Sequence, residues 1–178
     1  QVTSTDCSSC HGSPGDSAPP KATNGQSDTA LPGVGAHRSH MAASSGISRP
    51  VACTDCHLVP ADLNSPGHID TPLPAELNFS ALARTSGAPG TYDGTAGTCA
   101  VYCHGVTLSD GAMVNPIWTQ VDGTQSACGA CHGMPPGAPH PTDTRCEGCH
   151  LPTAGPNMTI ANPATHIDGV LQASVGCD

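Results

Sequence analysis

The sequence predicts a mostly irregular, coil-rich chain with a few short helices and little strand. It reads as a single domain over residues 1–178 whose core is not built from its own side chains. Three observations predict this. The 178 residues hold only one Trp, two Tyr and one Phe. The 21 Gly and 18 Pro run along the whole chain rather than gathering in one linker, and both interrupt regular elements, Gly through backbone entropy and Pro through its missing amide donor. Eleven Cys and ten His stand in a chain of which only 11% is charged. Such a sequence buries too little apolar surface to offset the entropy of ordering its backbone, so something other than side chains has to fill the interior.

The cysteines say what. They fall in close pairs, each followed at once by His: Cys7-Ser8-Ser9-Cys10-His11, Cys53-Thr54-Asp55-Cys56-His57, Cys128-Gly129-Ala130-Cys131-His132 and Cys146-Glu147-Gly148-Cys149-His150. A fifth, Cys99-Ala100-Val101-Tyr102-Cys103-His104, has a three-residue spacer. In C-x-x-C-H the two thiols lie about one turn apart and form thioethers with the vinyl groups of a haem, and the adjacent His binds its iron; the string is the mark of c-type haem attachment. The rival chemistries fit less well. A thioredoxin-like pair needs a βαβ framework, structural zinc does not require His directly after every second Cys, and a disulfide scaffold leaves the histidines unexplained. The expectation is five covalent haem c groups forming the core, with His11, His57, His104, His132 and His150 as proximal iron ligands.

Five histidines remain: His37, His40, His68, His140 and His166. Five six-coordinate irons need five distal ligands, so the sequence predicts bis-His ligation throughout. Met41, Met113, Met134 and Met158 are the rival ligands, and His/Met pairs raise the haem potential; filling gaps against porphyrin faces is their plainer role. His37 and His40 are three apart, so on a helical turn they leave the same side and serve two neighbouring haems. With every iron saturated, no open coordination site is left for a substrate, and an enzyme is not expected.

Element by element, an internal repeat organises the chain. Residues 1–75 carry Cys10-His11-Gly12, then His37 and His40, then Cys56-His57-Leu58, then Gly67-His68-Ile69-Asp70. Residues 125–170 carry Cys131-His132-Gly133, then His140, then Cys149-His150-Leu151, then Thr165-His166-Ile167-Asp168. The middle segment, 76–124, holds the odd Cys99–His104 site. The first unit has one His more than the second, so either His37 or His40 is the candidate for the middle haem. The attachment segments and the His37–His40 turn are expected as short helices. The stretch from Asp70 to Ser80 predicts a helical turn or a short strand near Leu77–Phe79. Cys177 is left over, either a free thiol or a link to another copy. Asn78 and Asn157 sit in N-x-S/T triplets, a short and weak glycosylation pattern.

Charge narrows the partners. Formal net charge is −9, with five Lys and Arg together, which opposes binding to nucleic acid or anionic membrane surfaces. No apolar run of 18 residues is present to span a membrane. The start at Gln1 reads as the mature end of a secreted chain.

Val101-Tyr102-Cys103-His104-Gly105, Cys131-His132-Gly133-Met134-Pro135-Pro136 and Gly67-His68-Ile69-Asp70 resemble the CxxxxCH/CxxCH multihaem cytochromes of metal-reducing bacteria. That family places four residues between the cysteines of its odd site, where this chain has three. The overall pattern also resembles extracellular cytochrome filaments, the cytochrome nanowires. That resemblance implies an electron-transfer protein with closely packed haems, head-to-tail association with other copies of itself, and one distal His donated in trans. Its redox partners would be other proteins or extracellular acceptors, and its location extracellular. A monomeric periplasmic carrier is the alternative. A multihaem oxyanion reductase is disfavoured by the saturated ligand count and by Lys21 being the only lysine.

Overall fold

The computed structural model describes residues 7–174 apart from 17, 19–20, 43–45 and 73. The expectation for Cys177 lies outside the described residues. Regular structure is sparse, as the Gly and Pro content dictates. Helix α1, His37–Met41, is five residues long. Strands β1 (Thr91–Asp93) and β2 (Thr98–Ala100) pair antiparallel with Tyr92 opposite Cys99, and β3 (Ala154–Gly155) pairs antiparallel with β4 (Thr159–Ile160). The loop between β1 and β2 closes because the Asp93 carboxylate accepts the amides of Thr95 and Ala96 at 2.8 and 3.0 Å, a local turn device of Asp. Most other residues are turns and extended chain. No helix among the described residues is long and apolar enough to cross a membrane.

Four of the five attachment segments form a tight 3₁₀ turn: Cys7–Ser9, Cys53–Asp55, Tyr102–His104 and Cys146–Gly148. The Cys128 segment turns instead through Gly129 at φ +86°. Short turns suffice because each segment needs only to bring two thiols together. The stretch around Leu77–Phe79 is extended but joins no strand ladder. Its amides go to an attachment turn, Asn78 to the Cys56 carbonyl at 2.8 Å and Ser80 to Asp55 at 3.0 Å. That demand on its donors is why no strand forms.

The side-chain core is slight. The buried apolar residues are Ala18, Val34, Phe79, Ala83, Ala88, Val101 and Ala130, four of them alanine, and none of the described large side chains is fully buried. Phe79, Ala83 and Val101 make the one cluster, with Cys56, Tyr92, Cys99 and Cys103 packed against it. The thiols of two different attachment segments thus share one small apolar nucleus.

Candidate haem-binding site

Where a protein of this size would hold apolar side chains, this one holds a connected cavity of about 2700 Å³. Small-molecule pockets are about 300–1,000 Å³, so the space suits several large ligands. All ten paired cysteines and all ten histidines line it. The residues singled out in the sequence therefore converge on one volume.

The attachment turns are built locally. In the second segment, the amides of Cys56 and His57 both go to the Cys53 carbonyl, at 3.2 and 2.8 Å. In the fifth, those of Cys149 and His150 go to Cys146 at 3.2 and 2.9 Å. Each turn thus carries its His out beside its two cysteines. The middle segment ends on Gly105 at φ +76°, where a Cβ would lie 2.0 Å from the Cys131 carbonyl oxygen. Only glycine lets the third and fourth segments approach so closely.

Eight of the histidines direct Nδ1 at a backbone carbonyl, at 2.6–3.1 Å. The acceptors are Val34 for His37, Ala36 for His40, Glu76 for His57, Leu63 for His68, Gly133 for His132, Pro141 for His140, Gln172 for His150 and Ile47 for His166. A carbonyl only accepts, so Nδ1 carries the proton and Nε2 keeps its lone pair free. This is the arrangement that orients a metal-binding imidazole.

Four proximal candidates each face one distal candidate. His37 and His57 lie 6.3 Å apart between ring centroids with planes at 16°, and His140 and His150 lie 6.0 Å apart at 12°. His40 and His104 are 5.8 Å apart at 79°, and His132 and His166 are 6.4 Å apart at 73°. A histidine nitrogen sits about 2 Å from a bound metal and about 1 Å from its ring centre, so two rings facing across one metal have centroids about 6 Å apart. The four spacings fit an iron between each pair. Of the two candidates for the middle segment, His40 faces its His104, whereas His37 faces His57 of the second. By subtraction, His11 and His68 form the remaining proximal and distal candidates.

Electrostatics suit the same chemistry. Burial, with the nearby His40, pushes the His104 imidazole down to about 4. Burial also lowers His37 and His166. These rings stay neutral at physiological pH, the form that binds metal. Burial, with neighbouring thiols and Asp55 adding, raises the Cys56 thiol to about 11, and burial with Asp55 does the same for Cys103. Cys149 stands apart because it is disulfide-bonded, whereas the other nine attachment cysteines are free. A sulfur in a disulfide cannot also form a thioether, so haem attachment at the fifth segment requires that bond to open.

Residues 98–132, from β2 through the fourth attachment segment, match the family model described as the Geobacter CxxxxCH...CXXCH motif. The match includes both the odd Cys99–His104 site and the regular Cys128–His132 site. That stretch carries the motif of multihaem c-type cytochromes. The odd site of this chain has a spacer one residue shorter than the family's four, and the match spans it all the same. No curated protein and no solved structure matches the chain. The motif implies covalently bound haem c, the cofactor of electron-transfer proteins. Haem, when bound, supplies reversible one-electron chemistry.

Sequence reasoning assigns no role to Trp118, which touches both His37 and His40. The signal for it was its being the one Trp in a chain with so few aromatics.

Proposed function

We propose that this cytochrome carries five haems, each held by two thioethers and two histidines, and passes electrons between them. The observation that carries the proposal is the set of four facing His pairs at 5.8–6.4 Å. The proximal ligands are His57, His104, His132 and His150, with His37, His40, His166 and His140 respectively opposite them. His11 and His68 supply the fifth pair. The haems take the place of the missing side-chain core.

Chain contacts support an order of neighbours along the sequence. His37 and His40 share helix α1, which joins the second and third sites. Gly105 lies against Cys131, which joins the third and fourth. Electrons then hop between these neighbouring sites.

Such a series of sites serves best when it continues. The chain acts as the subunit of an extracellular filament, copies stacked head to tail, carrying electrons to acceptors outside the cell. Support comes from the nanowire resemblance. A head-to-tail contact between unlike faces forms open filaments. A second reading, a monomeric periplasmic carrier, draws on a different observation: His132 pairs with His166, and the repeat maps this onto His11 with His68 inside one chain.

Electron microscopy of native material, at a resolution that shows haems, tests both. An unbroken haem row crossing from copy to copy is expected. Discrete particles with five internally ligated haems would leave the electron-transfer reading and remove the filament. Carbon monoxide binding at stoichiometric level to the intact protein would contradict the saturated irons.

A further inference from the structure

Two of the distal histidines are held by one side chain that has no donor atom for iron. The indole of Trp118 stands edge-on to His37, with centroids 4.8 Å apart and planes at 86°. The same indole lies tilted against His40, at 5.5 Å and 37°. It is itself fixed from three sides. Its Nε1–H donates to the Pro32 carbonyl at 2.7 Å, and its backbone amide donates to the Gly97 carbonyl at 2.7 Å in the loop between β1 and β2. Gly35, at φ +42°, makes the third side, and a Cβ there would lie 2.1 Å from Nε1. The hairpin that brings Cys99 to the middle site therefore also brings the indole to the distal ligands of that site and its neighbour.

His37 and His40 need such a contact. Each is tied by one Nδ1 hydrogen bond, to Val34 at 2.7 Å and to Ala36 at 2.9 Å. The terminal torsion of a His side chain is broad, and one hydrogen bond leaves the ring plane free to rock about it. Packing against an aromatic edge removes that freedom. The outcome differs between the two rings: His37 is nearly parallel to its facing His57, at 16°, whereas His40 is nearly perpendicular to His104, at 79°.

We propose that Trp118 is a positioning residue shared by two neighbouring haem sites, setting a parallel axial pair at one and a crossed pair at the other. The proposal rests on bis-His ligation as assigned above. In oxidised low-spin haem the angle between the axial imidazole planes sets the splitting of the iron d orbitals. Near-parallel rings give a rhombic electron paramagnetic resonance spectrum with three resolved g values. Near-perpendicular rings give a single large g value. Trp118 thereby makes two adjacent haems electronically unlike, although both have the same ligands.

The test is electron paramagnetic resonance of the fully oxidised holoprotein, wild type against Trp118→Ala and Trp118→Phe, with haem loading checked by intact mass. Wild type is expected to show both signal classes. In Trp118→Ala about one haem's share of the large-g signal should broaden or move to the rhombic class, while loading holds. Trp118→Phe keeps an aromatic edge and should restore most of that share. A Trp118→Ala spectrum that superimposes on wild type at equal loading overturns the proposal and leaves the ligation intact. Should Trp118→Ala load poorly, Gly35→Ala displaces the indole from the other side and must perturb the same share, or the proposal fails. If wild type shows no low-spin bis-His signals at all, the ligation reading itself fails.

Discussion

The two repeat units, residues 1–75 and 125–170, spend their histidines differently. In the second, His150 faces His140 and His132 faces His166, so both of its attachment segments meet a partner from the same unit. In the first, His57 faces His37 at nearly the same angle as its counterpart, but His40 goes to the middle segment. The anchoring bonds match as well. His57 Nδ1 bonds to Glu76 and the Asn78 amide to Cys56, while His150 Nδ1 bonds to Gln172 and the Ser174 amide to Cys149. In each case a returning segment passes along the attachment turn and uses alternate residues to hold it. The lesson is that one added histidine, three residues after His37, connects a middle site to a unit that otherwise repeats. The second unit leans on the first in turn, since His166 Nδ1 reaches across to the Ile47 carbonyl at 2.6 Å.

The largest expected effect tests the correspondence of His68 with His166. His68→Ala and His166→Ala should each expose one iron per chain, read as a high-spin band and one equivalent of carbon monoxide bound. If dilute wild type already binds one equivalent and His68→Ala adds none, the first unit takes its ligand from another copy.

Gly105→Ala sharpens the junction between middle segment and second unit. A left-handed backbone costs a non-glycine residue about 1–2 kcal/mol, and the added Cβ has to displace the Cys131 carbonyl oxygen, 2.0 Å away. Thermal unfolding should shift down by several degrees, and intact mass should show haem missing at the third or fourth segment. An unchanged melting temperature with full loading would count against that close packing.

Cys177→Ser addresses disulfide exchange during haem attachment, since Cys177 is the one cysteine that belongs to no attachment segment. Removing it should raise the fraction of chains with five haems, measured by mass spectrometry of preparations matured under oxidising conditions. Equal fractions would mean that haem attachment outcompetes the disulfide unaided.

The smallest effect lies at the surface. Ahead of the fifth segment, side-chain and backbone hydrogen bonds from Arg145 pull the Asp143 carboxyl down to about 2. The first unit has a different pair at its second segment, Arg49 with Asp55 at 3.4 Å. A carboxyl lowered on folding stabilises above its unfolded value of about 3.9, and that contribution fades as pH falls toward 2. Asp143 is fully exposed, so solvent screening keeps the effect slight. Denaturant midpoints for wild type and Asp143→Asn should differ slightly at pH 5 and converge near pH 2; a gap that widens on acidification would reverse the sign.

The coil-rich fold and the attachment segments were legible because covalent chemistry demands a fixed string, and Gly and Pro forbid long elements wherever they fall. Which distal histidine serves which segment was not legible, since His37 and His40 differ only in which way a five-residue helix turns them. The hairpin at Thr91–Ala100 carries a readable Asp93-Gly94 turn signal, yet its place follows from Cys99 having to reach the nucleus around Phe79. The strand expected near Leu77–Phe79 did not form, because its amides serve the attachment turn. Trp118 escaped for another reason: its work depends on Pro32 and Gly35, which lie more than eighty residues away in sequence.

The Nδ1 bonds of the eight histidines end on peptide oxygens rather than on carboxylates or amides of side chains. Such bonds raise the basicity of a metal-binding imidazole, and no point mutation deletes a main-chain carbonyl. The side chains at Glu76, Leu63, Ile47 or Gln172 can drift through generations while the acceptor each one carries stays in place. An inserted or deleted residue is another matter, because it shifts the carbonyl itself. The chain should therefore tolerate wide substitution between its haem motifs and very little change in their spacing.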